Sequence, residues 1–307
     1  MDGILALWKE RGMTSHDCVF KLRKILKTKK IGHGGTLDPD VDGILPICIG
    51  KATKVIEFMQ DSGKVYTGEI TLGYATTTED ASGEVVATTP IATPFSQNEI
   101  DNIMKLMEGE ITQIPPMYSA VKVNGKRLYE YARAGLEVER PKRKAQIISF
   151  RRISEPEYDK ENKTQSWRFE VVCGKGTYVR TLAVDTGKKL GVAAHMSDLT
   201  RLESGGLKPA QALTLAQVAQ AVADDTISEY LLPLEYGLSA FDKITINEKT
   251  WLQVKNGMRL APEVFGLDSM PKKPIALYYQ EKVVALYENN PKEKNKLKPL
   301  KMLRTEV

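Results

Sequence analysis

The sequence predicts an α+β fold, built on a mixed, largely antiparallel sheet with a small β-rich unit after it. Strand-like and helix-like segments interleave without the strict alternation of a doubly wound parallel sheet. The chain has 307 residues, 42% of them hydrophobic, enough for one large core and a lesser one. No window reaches the roughly 18 uncharged apolar residues of a membrane helix, and the N-terminus has no basic start followed by a long apolar stretch, so the expectation is a soluble, unexported chain.

Residues 14–27 have Val19, Leu22, Ile25 and Leu26 at helical spacing, with Thr14 or Ser15 as cap. The following KIGHGGTLDPDVDGILP is too rich in Gly, Pro and Asp to continue that helix, and residues 31–43 are expected as a loop. Lys64 to Leu72 is strand-like and ends at Gly73; a turn or loop follows to Gly83. Ser96 and Glu99 form a capping box before Ile100, Ile103, Met104 and Met107, an amphipathic helix. Strands are expected at Ala145–Ile153 and Trp167–Cys173, where Trp167, Phe169 and Val171 share one face. A helix from about Tyr178 to Leu190 is stopped by Gly191, and another starts at Thr214 with Gln217 completing its box. Residues 224–244 read as a connection. Beyond them, ITINEKTWLQVKNGMRL and PIALYYQEKVVALYE read as short strands and turns ending in a basic tail. The division is therefore 1–240 and 241–307.

The formal net charge of +5 conceals a strong separation. Windows 21–30, 122–144 and 292–304 together carry +16 and the rest −11. Such clustering suits a polyanion, whose counterions are released on binding. The cysteines, Cys18, Cys48 and Cys173, are odd in number and lack a CxxC pair, which points away from disulfides and zinc and toward a reducing cytoplasm. His16, His33 and His195 have no metal-ligand spacing. No metal and no cofactor is expected.

Ser15, His16 and Asp17 are adjacent, and successive helical residues point about 100° apart, so they read as cap and first turn rather than as a triad. GILPICIGKAT departs from the phosphate-loop spacing at Leu45 and Ala52, which excludes a nucleotide triphosphate site. Two segments carry chemistry. In GHGGTLDP, glycines let a backbone approach a substrate, and Asp38 before Pro39 has a restricted, non-helical backbone; on spacing alone a turn with an Asp cap accounts for it equally well. In CGKGTYVRTL, Arg180 falls in the first turn of a helix, where it can fork onto Asp38 and keep that carboxylate ionised.

Four segments, 32–54, 64–83 (KVYTGEITLGYATTTEDASG), 115–133 (PPMYSAVKVNGKRLYEYAR) and 173–191 (CGKGTYVRTLAVDTGKKLG), resemble in order and spacing the TruB family of bacterial tRNA pseudouridine-55 synthases. The resemblance spans about residues 1–210. It implies the pseudouridine synthase fold and a cofactor-free isomerisation of uridine 55 in the T loop of tRNA, by base flipping, with a tRNA-folding role beside it. Asp38 matches the family's catalytic Asp, Tyr66 its active-site Tyr and Arg180 the Arg paired with the Asp. Tyr178 and Leu199 match residues lining the uracil pocket, and His33 a histidine against the flipped T-loop nucleotides. Residues 120–145, with Lys122, Lys126, Arg127 and Arg143, match an insertion that clamps the T arm, and residues 241–307 look like a small PUA-type RNA-binding domain. The implied partner is the T stem-loop of tRNA, bound by a cytoplasmic monomer without a membrane or nucleotide cofactor. One departure stands at Lys9-Glu10, where the family has Lys-Pro; losing that proline is expected to loosen the turn and to cost stability or RNA affinity rather than chemistry. Two other readings remain, a tRNA-binding and folding protein and a nucleic-acid N-glycosylase.

Overall fold

The computed structural model describes residues 1–306. The apolar run at the start forms β1 (Gly3–Lys9), buried on both faces: Ile4 and Ala6 enter one apolar cluster, Leu5 and Leu7 another. α1 (Ser15–Ile25) starts at Thr14, whose hydroxyl accepts from the Asp17 N–H while the Asp17 carboxylate accepts from the Thr14 N–H. β2 (Ile31–His33) and β3 (Asp42–Ile49) flank the glycine-rich loop and pair antiparallel. Then follow α2 (Ile56–Gln60), β4 (Lys64–Leu72), the hairpin of β5 (Tyr74–Thr76) and β6 (Val85–Thr88), α3 (Gln97–Leu106) and β7 (Gly109–Gln113). A small hairpin, β8 (Lys122–Val123) and β9 (Lys126–Arg127), leads through α4 (Leu128–Arg133) to β10 (Arg143–Arg152), β11 (Glu157–Asp159) and β12 (Thr164–Cys173). α5 (Val179–Leu190), β13 (Ala194–Ser204) and α6 (Leu215–Ala223) complete the larger part.

The main sheet has the order β1-β3-β13-β4-β12-β10-β7, with β2 on β3 and β11 on β12. Every pairing in it is antiparallel except β3 with β13, which meet at Asp42/Thr200 and Gly43/Arg201. Trp167, Phe169 and Val171 do share one face, packed with Ile100 and Met104 of α3 and Leu182 and Ala183 of α5. At the other end α1 and α6 cover β1 and β3 through Val19, Leu22 and Val218.

The C-terminal sheet runs β14 (Asp242–Thr245), β15 (Ile275–Tyr279), β16 (Lys282–Asn289) and β17 (Leu297–Met302). Its second element corrects the expectation of strands and turns alone: α7 (Glu248–Val254) is a helix, capped by the Asn247 side chain on the Thr250 N–H at 2.9 Å. Two turns with only Thr250, Trp251 and Val254 buried, two of them apolar, leave too little periodicity to read. The stretch read as a connection is packed rather than free. Leu232 exchanges backbone hydrogen bonds with Ile4 at 2.8 Å, and Leu234 and Leu238 share a core with Ala276, Val283 and Leu286 of the C-terminal sheet.

The basic tail is also spent on the fold. Lys298 pairs with Glu288, Lys301 with Glu57 and Arg304 with Glu235, at 2.5–3.1 Å. The third basic window is therefore largely neutralised within the protein.

The parallel contact of β3 with β13 demands glycine at position 43. Its φ is +115°, and a Cβ there would stand 2.2 Å from the Arg201 carbonyl oxygen. Gly43→Ala is expected to cost about 2 kcal/mol or more, seen as a lowered Tm by calorimetry; an unchanged Tm would show that the two strands part easily.

Candidate active site

The loop between β2 and β3 has little conformational preference of its own, and side chains from elsewhere hold it carbonyl by carbonyl. The Gly34 N–H donates to Pro46 O at 2.8 Å. Gly35 O and Thr36 O accept from Arg201 Nη2 and Nη1, each at 3.2 Å. The Leu37 N–H donates to Ser15 Oγ at 2.9 Å, and that hydroxyl donates back to Leu37 O at 3.2 Å. Asp38 O accepts from the Val41 N–H, and Pro39 O from both the Gly12 N–H and Lys9 Nζ at 3.0 Å. Each carbonyl from 35 to 39 thus has a donor, and the Asp38 side chain is held out at the end of a fixed frame.

Arg180 meets it from α5. The residue before the helix is pinned by Gln113 of β7, whose amide accepts from the Tyr178 N–H at 3.0 Å and donates to Tyr178 O at 3.1 Å. The Arg180 side chain is only 8% exposed. Its Nη2 lies 3.1 Å from Asp38 Oδ2 and donates to Tyr118 O at 2.9 Å. Its Nη1 donates to Thr78 O at 2.9 Å and lies 3.5 Å from Asp80 Oδ2. The expected contact of Arg180 with Asp38 is present through one nitrogen, and the other nitrogen faces a second carboxylate, Asp80. Beside it Glu79, at φ +65°, accepts from the Thr181 hydroxyl at 2.7 Å.

Asp38 is 43% exposed at its side chain, yet protein crowds the approach on most sides. Burial pushes its carboxyl above the ordinary carboxylate value, Arg180 pulls it back, and Asp80 adds repulsion.

Next to the pair lies a buried apolar cluster. Tyr66, Leu199, Val179, Leu37 and Val41 belong to one cluster. Tyr66 on β4 stands in register with Val171 and Arg201; burial raises its phenol, and the nearby Arg201 charge works the other way. Tyr178 is half-buried at the start of α5, and His33 is half-buried on β2. Desolvation pushes the His33 ring below its ordinary value, and its Nδ1 has no hydrogen-bond partner. Lys122, Lys126 and Arg127 are exposed on the β8–β9 hairpin, and Arg143 is exposed where β10 begins, opposite Gln113. They do not converge on Asp38. Between the insertion and the turn of the β5–β6 hairpin runs an open groove of about 720 Å³, lined by Thr77, Met117, Tyr118, Leu136, Val138 and Arg140. Among the described residues no three His, Cys, Asp or Glu side chains are grouped as a metal ion requires.

The Lys9-Glu10 turn is tied down despite the missing proline. Lys9 is fully buried, and its Nζ donates to Glu10 O and Pro39 O at 3.0 Å. Arg11 Nη2 reaches Asp198 at 2.6 Å and Asp42 at 3.3 Å. Sequence reasoning singled out none of Lys9, Asp80 and Arg201 for the site, and read Ser15 only as a cap or first-turn residue. For Arg201 a signal existed: it sits two residues after Leu199 on a strand, hence on the same inward face.

Comparison with known proteins places this architecture. Residues 23–179 match the TruB family pseudouridylate synthase N-terminal domain, and residues 180–239 the tRNA pseudouridylate synthase B C-terminal domain. The chain is 52% identical over 303 residues to tRNA pseudouridine synthase B of Ligilactobacillus salivarius (strain UCC118), covering 99% of each. It is 55% identical over 302 residues to that of Streptococcus gordonii (strain Challis), covering 98% of this chain and 99% of the other. Among solved structures it is similar to a Cbf5-Nop10-Gar1 complex, with TM-score 0.75, 27% identity and coverage of 98% of this chain and 85% of the other. A second is an H/ACA RNP bound to a substrate RNA containing 2'-deoxyuridine, with TM-score 0.70, 26% identity and coverage of 98% and 85%. The chain belongs to the TruB family of pseudouridine synthases.

Proposed function

We propose that the chain isomerises uridine 55 in the T loop of tRNA to pseudouridine, with Asp38 as the catalytic carboxylate. The observation that carries the reading is the Asp38–Arg180 pair at the edge of an apolar wall made by Tyr66, Leu199 and Val179. A flat uracil extruded from the loop fits against such a wall, which excludes water from the reacting bond. Breaking the bond from C1′ to N1 places positive charge on the sugar; the Asp38 carboxylate stabilises that charge, attacks it, or removes a sugar proton. Arg180 fixes the direction of the carboxylate and partly offsets the desolvation that favours its protonated form. The base then turns and rejoins through C5, and Tyr66 packs against it with its hydroxyl near the proton that C5 must lose. Atoms balance without a cofactor.

Affinity for the T arm comes from the exposed cations of the insertion, Lys122, Lys126, Arg127 and Arg143, which meet phosphates, while His33 and Tyr178 meet unpaired bases. The C-terminal part of the chain, from residue 241 onward, serves as a PUA-like RNA-binding domain, and the protein acts as a cytoplasmic monomer that also assists tRNA folding.

The test is an unmodified tRNA transcript tritiated at uridine C5, with a control carrying cytidine at the T-loop target. Tritium release to water from the first alone supports the reading; no release with tight binding would leave an RNA-binding protein, and free uracil a glycosylase. Asp38→Asn is expected to abolish release and keep tRNA affinity within about threefold, because the carboxylate acts on one bond while many contacts bind. Arg180→Lys is expected to lower the single-turnover rate about 100-fold, since a point charge cannot span both carboxylates and both carbonyls.

The raised carboxyl of Asp38 sets two pH dependences. Activity needs the ionised form, so the single-turnover rate falls on acidification through a pKa above the ordinary 3.8. For stability the sign is opposite to that of a well-paired carboxylate. The folded chain holds the Asp38 proton more tightly than the unfolded one, so this increment of stability is present at low pH and lost as pH rises through the folded pKa. Asp38→Asn is therefore expected to melt no lower than the unaltered protein at about pH 8, the gap closing toward about pH 4; a variant that melts lower at high pH would show that Arg180 outweighs burial.

A further inference from the structure

Arg201 is 1% exposed, and among the described residues it has no carboxylate within ion-pair distance. A guanidinium buried without a counter-ion is costly unless its donors are all used, and a Met or Leu would fill the same space in β13 more cheaply. The three carbonyl contacts of Arg201 go to one place, and the guanidinium also lies beside the Tyr66 hydroxyl. Nε donates to Ile44 O at 2.8 Å, Nη1 to Thr36 O and Nη2 to Gly35 O, each at 3.2 Å. All three carbonyls bracket the loop that presents Asp38. Hydrogen bonds from a charged donor are about twice as strong as neutral ones, and the loop needs them: Gly35 has φ +139°, and the backbone on either side has no ladder partner at 35 or 36. A side chain at 35 would be strained by that φ, although its Cβ would meet Arg201 Nη1 only at an ordinary contact distance of 3.6 Å. The backbone of Arg201 is fixed in turn by its parallel pairing with Gly43 and its antiparallel pairing with Tyr66.

We infer that Arg201 is a positioning residue for the reaction: its guanidinium holds the 35–36 carbonyls so that Asp38 stands within reach of Arg180 and of a nucleotide lying against Tyr66. The inference rests on the reading of Asp38 as the catalytic carboxylate. Arg201 touches no substrate in this arrangement; it acts through the loop, and through its shared register it ties that loop to the strand of Tyr66.

The test uses the full chain with Arg201→Met and Arg201→Lys, each measured for Tm, tRNA Kd, single-turnover tritium release and amide hydrogen exchange. Arg201→Met is expected to bind tRNA within about threefold of the unaltered protein while its single-turnover rate drops about 100-fold, the cost of a carboxylate misplaced by about 1 Å. Exchange is expected to quicken at residues 34–38 and hold steady in β4 and β12. Arg201→Lys, with the charge but without the span, is expected to recover only part of the rate. A folded Arg201→Met with normal rate and unchanged loop protection overturns the inference. So does a uniform rise in exchange across the sheet with affinity and rate falling together, which marks a general stabilising role. Should Arg201→Met fail to fold, Arg201→Lys decides on the same readouts. If the unaltered protein releases no tritium, the proposed reaction fails while the exchange pattern still reports on the clamp.

Discussion

Arg180 is buried, and its guanidinium carries only donors, which must be satisfied wherever the fold puts them. Its partners come from the glycine-rich loop (Asp38), the turn of the β5–β6 hairpin (Thr78, Asp80) and the segment leading into the basic insertion (Tyr118). One side chain therefore joins three segments and helps to fix their mutual distance. A buried ion pair of this kind is poor evidence for stability, because desolvation offsets the Coulomb gain. What it supplies is geometry. Because the guanidinium is planar and already engaged on both edges, Asp38 has few positions in which it can be paired, and displacing Tyr118 or Asp80 would change them.

The loop itself is ordered by the same principle carried to the main chain. Its carbonyls from 35 to 39 are taken by Arg201, Ser15, the Val41 N–H and Lys9 with Gly12. Glycines there remove side chains that would block an incoming nucleotide and leave the backbone without preference; buried donors from β13, α1 and β1 restore it. This explains why Lys9 is tolerated without exposure, its ammonium carried by carbonyls rather than by a carboxylate. The Glu10 turn is flanked by side-chain contacts, with Lys9 bonded to Glu10 O and Pro39 O and Arg11 paired with Asp198.

The large elements were legible because their signals are local. The capping boxes at Thr14, Ser96 and Thr214 mark helix starts by the chemistry of a single turn, and Trp167, Phe169 and Val171 mark a sheet face by their period of two. Glycines and an Asp before Pro drew attention to the Asp38 segment, and the helix start to Arg180. Tyr66 and the roles of all three were legible only through motifs that resemble a family, since spacing alone does not show that residues 142 positions apart meet. Arg201 and Asp80 stayed hidden because a charge in a strand or a turn reads as solvent-facing until the partner segments are placed. The strand Gly3–Lys9 was missed because burial on both faces erases alternation, and α7 because two turns carry too few apolar positions.

The distribution of charge shows why three similar basic runs are not equivalent. In 21–30, Lys21, Lys24, Lys27, Lys29 and Lys30 are exposed and, among the described residues, have no carboxylate within 4 Å. The hairpin cations Lys122, Lys126 and Arg127 are likewise unpaired. In 292–304 most of the cations sit opposite Glu57, Glu235, Glu288 or Glu293. A cation already facing a carboxylate gains little by exchanging it for a phosphate, since one favourable contact is broken for each one made. Unpaired cations keep their full electrostatic advantage, which is the counterion release they drive. The potential that attracts a polyanion is thus set by α1 with its following turn and by the insertion, and the last run serves to fasten the C-terminal sheet to the body that carries Asp38.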